Sequence, residues 1–575
     1  MTAMFLRLFA ALNATMMLSQ TLKTLTLLSL AVMLSNSHAQ LVVAPDAGAL
    51  RQQIEQQTEI KLPPAVRAQP VKPPPEIKPR EGLSVTVKAF RFAGNTLLGD
   101  PQLASAVAEF KDQVLGFDGL QRATDAVAAA YQSAGWLARV YLPEQDVSEG
   151  VITLQVIEAR FSGVRLEGEP PKRVRQSELD GFFKATQRVN EPLNSNALDR
   201  ALLLADDLPG VSVAGTLAPG QTDGQTELVL QATDEPLFYG DVGLDNHGSR
   251  STGSERLTAN LNINSPGQRG ELISINGLHT EGSDYARLAF TVPDGYNGLR
   301  LGFNTSAMTY KVIMGPAAGT AAQITGRSDS MGLDLNYPII RSRTQNLYLS
   351  VGVENKAFQT RDTQLRSDYE SNTLRVGLSG NRFDDFGGGG ANSASLQWLD
   401  GRLSSMNAHS LIDSIARNYS KLNYSLSRQQ ALVGSHSLLL SLQGQQANQV
   451  LDSSEGFYIG GPQSVRAYPS SELGGEQGEL ISAEWRWRLD NAWLLTGFVD
   501  HGRAVSLPPT SSDQRAEYFL NGYGLSVAWQ GGPGVNAKLT WSRRDGSNPK
   551  PTLAGTDSDG TRELNRLWLT LSVSI

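Results

Sequence analysis

E484-W-R-W-R-L-D490 is the stretch that decides the fold. Trp485, Trp487 and Leu489 fall on one face, and Glu484, Arg486, Arg488 and Asp490 on the other. Successive side chains of a strand point to opposite sides, so this period of two reads as a strand with an oily face and a charged one. A soluble sandwich also alternates. Here, though, the charged face is dense enough to require water while the aromatic face requires the opposite.

The same alternation runs through the C-terminal part of the chain. Leu257, Ala259, Leu261 and Ile263 oppose Thr258, Asn260, Asn262 and Asn264, and Ala286, Leu288, Phe290 and Val292 share a face opposite Arg287. Leu347, Leu349, Val351 and Val353 oppose Tyr348, Ser350, Gly352 and Glu354, and Leu422, Tyr424 and Leu426 oppose Asn423, Ser425 and Ser427. The final segment places Leu567, Leu569, Leu571, Val573 and Ile575 on one face. Such segments run about 8–11 residues, the length of a tilted membrane crossing. Residues 236–575 show no convincing helix; at about 21 residues per strand and connection they make about 16 strands, within the even-numbered range of outer-membrane barrels. The fold class is a transmembrane β-barrel of about 16 antiparallel strands.

Upstream the period changes. Residues 83–159 and 160–235 each read β-α-α-β-β, with helical spacing over Asp100–Phe110, Asp118–Ala134, Ser177–Phe183 and Asn194–Ala205. A three-stranded sheet covered by helices on one side leaves a strand edge to which an extended peptide can add. Before these units, residues 59–82 hold a Pro-rich segment (L62-P-P-A-V-R-A-Q-P-V-K-P-P-P-E-I-K-P79), an extended and semi-rigid linker. Residues 40–58 contain a short polar helix, Asp46–Thr58, with Asp46 as N-cap. Alone it is too short to be stable and needs a docking surface.

Residues 1–39 read as a secretory signal peptide, which exports the mature chain. Arg7 and Lys23 are its only charges, Thr24–Ser35 is an apolar core too short to span a bilayer, and Ser37-His38-Ala39 places cleavage between Ala39 and Gln40. Loss of Arg7 and Lys23 with the leader takes the net charge from −7 to −9, which argues against a nucleic-acid partner. There is no cysteine, hence no disulfide framework or thiolate metal site. The histidines of the mature chain (247, 279, 409, 436 and 501) are scattered, with no H-E-x-x-H and no G-x-S-x-G. No enzyme, metal or cofactor is expected.

One loop stands apart. G460-G-P-Q-S-V-R-A-Y-P469 lies in about thirty turn-prone residues between two strands, and long loops in compact domains usually carry function. In W493-L-L-T-G-F-V-D-H-G502 alternation puts Asp500 on the charged, lumenal face. If the loop folds inward, Arg466 reaches Asp500 in a bidentate, charge-assisted pair.

These residues resemble a known family. Val465-Arg466-Ala467-Tyr468 is similar to the V-R-G-Y loop, and Phe498, Asp500 and Gly502 to the F-x-D-x-G strand, of the BamA-type superfamily. Asp245-Asn246-His247-Gly248 with Ser251-Thr252-Gly253 resembles the D-N-x-G…S-T-G stretch of the two-partner secretion (type Vb) transporters of the ShlB/FhaC/HecB type. The resemblance covers essentially all of the mature chain. It implies periplasmic POTRA domains that receive an unfolded exoprotein, a 16-stranded barrel as the pore, a first helix that plugs it, and an inward loop held by Arg466 on Asp500. It also implies one cognate secreted exoprotein of haemolysin or adhesin type as partner. Outer-membrane lipids surround the barrel, the barrel-assembly machinery inserts it, and the protein works as a monomer in the outer membrane of a Gram-negative bacterium. A barrel insertase and a passive porin are the alternatives. Two positions depart from the pattern. Ala467 replaces a glycine and costs about 1 kcal/mol if the site needs φ > 0. Ile575 replaces the terminal aromatic expected for recognition by the assembly machinery.

Overall fold

The computed structural model describes residues 46–57, 84–222, 224–314, 324–362, 366–407, 417–508, 515–532 and 534–575. The leader with its Ala39–Gln40 junction and the Pro-rich segment lie outside the described residues.

The first α/β unit holds β1 (Ser84–Thr86), β2 (Ala89–Ala93), α2 (Asp100–Ala106), β3 (Val114–Gly116), α3 (Phe117–Ser133), β4 (Ala138–Tyr141) and β5 (Val151–Glu158), α1 being the preceding helix Ala47–Gln57. Its sheet runs β2-β5-β4, with β2 parallel to β5, while β1 and β3 form a separate ribbon. The single strand expected over Val85–Phe92 is split. Val87 is fully buried and bonds the Gln113 carbonyl, and Lys88 turns to the Gly150 carbonyl. Leu103, Val127, Tyr131, Ile152 and Leu154 fill the space between helices and sheet.

The second unit repeats the plan: β6 (Arg160–Leu166), α4 (Gln176–Thr186), α5 (Ser195–Asp206), β7 (Val211–Pro219) and β8 (Gln225–Asp234), ordered β6-β8-β7. The Asn194 side chain caps α5 by accepting from Ala197 N at 2.9 Å. Backbone bonds Ala159 N to Leu137 O (2.9 Å), Leu193 N to Ala159 O (2.8 Å) and Leu137 N to Leu193 O (3.3 Å) stitch the two units together.

Sixteen antiparallel strands then close on themselves, from Phe238–Asp245 to Asn565–Ser574. Over part of the strands an exposed apolar residue alternates with one turned inward, as in Trp493–Ser506, where Val499 is exposed while Thr496, Phe498 and Asp500 are buried. The second unit docks on one end of the barrel: Arg341 grips Asp207 through two 2.7 Å bonds, and Phe182 packs edge-on against Tyr296. The loops 246–255, 448–476 and 545–564 lie at the opposite end.

The expected strand length needs correction. The sixth to ninth strands, Thr325–Arg341, Gln345–Arg361, Arg366–Asp384 and Gly390–Asn407, have 17, 17, 19 and 18 residues. Their outward faces change character partway. In the sixth strand Arg327 and Asp329, an exposed ion pair, precede Met331 and Leu333. Alternation of apolar with polar residues therefore marks only the stretch facing lipid, and the strand continues beyond it with polar residues on both faces.

On the inward face many small polar side chains partner one another across strands: Asn276 with Asn260 (2.8 Å), Ser274 with Asn262 (2.7 Å), Ser306 with Ser330 (3.0 Å), Ser393 with Ser427 and Ser395 with Ser425 (both 2.7 Å).

Candidate functional site

The loop between the eleventh strand, His436–Ala447, and the twelfth, Gln477–Arg488, folds back inside. Its two arms, Phe457–Ile459 and Leu473–Gly475, pair as a ribbon. At the tip Gly460 and Gly461 adopt φ of 104° and 101°, which side-chain-bearing residues rarely do. The tip buries Val465, Ala467 and Tyr468 with Ile459, Leu480, Ala504 and Leu520.

Arg466 lies at the centre. Its Nε donates to Asp500 Oδ2 at 2.8 Å and its Nη2 to Oδ1 at 2.6 Å, the bidentate geometry that gives such pairs their specificity. Nη1 reaches Glu484 Oε1 at 2.8 Å and Nη2 also reaches Ser482 Oγ at 3.0 Å. The guanidinium carbon sits 3.4 Å above the centre of the Phe498 ring, so Phe498 supplies a cation–π face where Asp500 supplies charge. The other end of the residue is held too: the Arg466 carbonyl accepts from Ser542 Oγ at 2.6 Å and Trp568 Nε1 at 2.7 Å. One loop residue thus joins the twelfth, thirteenth, fifteenth and sixteenth strands.

The glycine of the strand motif has a steric reason. A Cβ on Gly502 would come within 2.7 Å of Val465 Cγ2, so the loop needs that position bare. Ala467 corrects the expectation of strain: it is not among the positive-φ residues. Its methyl instead packs on Gly522, where an added Cβ would meet it at 2.6 Å.

The early motif lies where the barrel closes. Asp245 takes Arg256 Nε at 2.6 Å and Nη2 at 3.0 Å. Asn246 spans to the last strand, donating to Leu567 O and accepting from Leu569 N, both at 2.9 Å. A Cβ on Gly248 would strike the Gly253 carbonyl at 2.1 Å, and Gly253 itself has φ of 108°. The Thr252 carbonyl takes Gly282 N at 2.8 Å, tying this loop to the next one. Ile575 N ends the seam with a 2.9 Å bond to Gly240 O.

Helix α1 lies inside the barrel. Ala47, Leu50 and Ile54 pack on Tyr285, Met308, Tyr310 and Phe358. Arg51 is 2% exposed and donates to Glu354 Oε1 at 2.9 Å and Ser328 Oγ at 3.2 Å. Asp46 caps the helix through Ala49 N at 2.8 Å and also accepts from Ser453 Oγ of the inward loop at 2.6 Å.

Ser482, Ser542 and Trp568 belong to this site but to no motif read from the sequence, and Glu484 figures there only as one of the charges on a strand face. Trp568 left one signal, a bulky aromatic on the inward face of the last strand opposite Leu567 and Leu569.

The fold and this site define a closed barrel of sixteen antiparallel strands with an inward-folded loop, preceded by two α/β units. The model for the haemolysin secretion/activation proteins ShlB/FhaC/HecB matches residues 224–528, and that for the ShlB-type POTRA domain matches residues 85–159. The first match alone covers more than half of the chain, which belongs to the ShlB/FhaC/HecB family: it is an outer-membrane transporter of the two-partner secretion type with its POTRA domains in the periplasm. Among relatives, a heme/hemopexin transporter protein HuxB of Haemophilus influenzae is 23% identical, over 80% of this chain and 83% of its own. The outer membrane transporter CdiB of Escherichia coli O6:K15:H31 is 25% identical over 82% of each. The solved CdiB structures of Escherichia coli and Acinetobacter baumannii superpose with TM-scores of 0.66 and 0.63 at 20% and 16% identity. They cover 91% and 92% of this chain and 95% and 96% of their own.

Proposed function

We propose that the chain exports one large secreted β-helical exoprotein of the haemolysin or adhesin kind. The POTRA domains take up its unfolded N-terminal secretion domain by strand addition at their free sheet edges, and the barrel is the pore. At rest α1 occupies the lumen; on engagement it withdraws into the periplasm on the Pro-rich segment. Arg466 on Asp500 is the latch that keeps the inward loop, and with it the barrel, in the transport-competent form. The observation that carries the reading is the buried bidentate pair itself, a loop arginine fixed to a lumenal carboxylate in a barrel of this family.

As further partners, outer-membrane lipids meet the exposed Leu, Val and Trp side chains of the strands, the assembly machinery inserts the barrel, and one copy suffices for transport. The reading is tested by incubating purified residues 83–235 with unfolded exoproteins of the source organism. Saturable binding of one long secreted chain through its N-terminal region is the expected result. Binding of many outer-membrane barrel precursors and no secreted chain would make the protein an insertase instead.

A further inference from the structure

The barrel has its shortest strand ladder at its seam. The first strand, Phe238–Asp245, and the last, Asn565–Ser574, pair over only five residues, from Thr570 opposite Asp245 to Ser574 opposite Asp241. The first and second strands pair over eight, and the seventh and eighth over seventeen. Residues Asn565–Leu569 of the last strand therefore extend past the end of the first, with a single long backbone bond on that side, Asn246 N to Leu569 O at 3.4 Å. An unpaired strand edge at a membrane barrel leaves peptide groups without partners where water is scarce.

We propose that Asn246 is a seam clasp: its carboxamide carries the hydrogen bonding past the last ladder pair and holds the outer half of the last strand against the barrel. A bare strand edge leaves two bonds to be made, one to the C=O of a residue and one from the N–H of the residue two further on. The Asn246 amide makes both, donating from Nδ2 to Leu567 O and accepting at Oδ1 from Leu569 N, each at 2.9 Å. Its partners lie 321 and 323 positions away, so these bonds are not a local Asn turn. The turn that aims it is fixed by Asp245, which holds Arg256 and accepts from His247 N at 2.9 Å, and by the contact of Gly248 with Gly253.

The inward loop grips the same seam from both sides. Ser470 Oγ donates to the His247 carbonyl at 2.7 Å, next to the clasp, and Trp568 Nε1 on the last strand donates to the Arg466 carbonyl at 2.7 Å. His247 packs edge-on against Trp568, with ring centres 5.8 Å apart. Asn246 is thus a positioning residue whose hold is shared with the loop, and loosening either loosens the other.

The experiment is hydrogen exchange of the full-length protein in liposomes, with single-channel recording in KCl. N246A should speed exchange of segment 565–569 on the order of tenfold, leaving 570–574 protected by its backbone ladder. N246D, which keeps the acceptor and loses the donor, should fall between N246A and the parent, and it serves alone if N246A does not assemble. Because the chain has no cysteine, a V242C/V573C pair reports on the seam without interference. N246A should also add noise to the open-channel current, which this disulfide abolishes in that background, an effect that a general loss of barrel stability would not show. Replacing Trp568 with Phe should raise exchange in both 465–468 and 565–569. Unchanged exchange at 565–569 in a heat-resistant N246A or N246D barrel, or noise that survives the disulfide, overturns the proposal.

Discussion

The Asp500 carboxylate receives three bonds from Arg466 alone, from Nε at 2.8 Å, Nη2 at 2.6 Å and the backbone N at 3.2 Å. The same acid group therefore orients both the side chain and the main chain of the loop tip. With the Asp500 side chain fully buried, neither charge has water to fall back on.

Removing Arg466 strands the Asp500 carboxylate, a loss of about 3–5 kcal/mol for a broken buried pair, while removing Asp500 leaves Arg466 held by Glu484 alone among the acids. Arg466→Ala and Asp500→Ala should each cut export at least tenfold, while the barrel keeps its heat-resistant mobility on gels. Arg466→Lys should behave nearly as badly, since an ammonium supplies neither the fork nor the flat face over Phe498. Exoprotein titre in the culture supernatant is the measurement; a normal titre for the alanine variants would remove the latch.

Gly502→Ala tests the loop seat without touching a charge. The new methyl meets Val465 at 2.7 Å, so the tip must shift, at about 1–3 kcal/mol for overpacking. The expected result is a lower temperature for loss of the heat-resistant form, with export reduced less than in Asp500→Ala.

Deleting Asp46–Thr58 should raise single-channel conductance, because α1 fills lumen between Tyr285, Met308 and Phe358. Arg51→Ala should raise it partially, leaving Glu354 with Lys356 and Arg375 only. Correctly folded protein with unchanged conductance would place the resting barrier elsewhere.

In the first POTRA domain, Glu158 accepts from Thr96 N (2.6 Å), Leu97 N (2.7 Å), Tyr131 OH (2.9 Å) and the Thr96 hydroxyl. Burial alone would raise its pKa, but these donors outweigh it and hold the carboxyl below its ordinary value. Its stabilising contribution is therefore complete above the usual carboxylate range and is lost as pH falls through the lowered folded value. Exchange at the Thr96 and Leu97 amides should accelerate in that acid window, and Glu158→Gln should show the faster rate already at neutral pH.

Much of this was legible in the sequence where chemistry repeats with a period. Two-residue alternation located the lipid-facing stretches, and the helical spacing located both α/β units. Alternation could not reveal the length of the Arg366–Asp384 strand, because Glu370 and Asn372 precede Leu374 on its outward side and polar-against-polar carries no period. Arg466 and Asp500 were legible as a charged pair because each was out of place, one in a loop and one on a strand. Asn246 gave no clue to its partners. Its bonds run to main-chain atoms of Leu567 and Leu569, and a backbone group has no signature in a sequence.

The paired Ser and Asn side chains of the inner wall have a consequence for traffic. Ser393 with Ser427, Ser395 with Ser425 and Asn260 with Asn276 have already satisfied one another, and they carry no charge. An extended polypeptide beside them meets side chains that already hold a partner and carry no charge to grip it. Between the lumenal ion pairs, such uncharged and mutually bonded stretches give a passing chain little to hold.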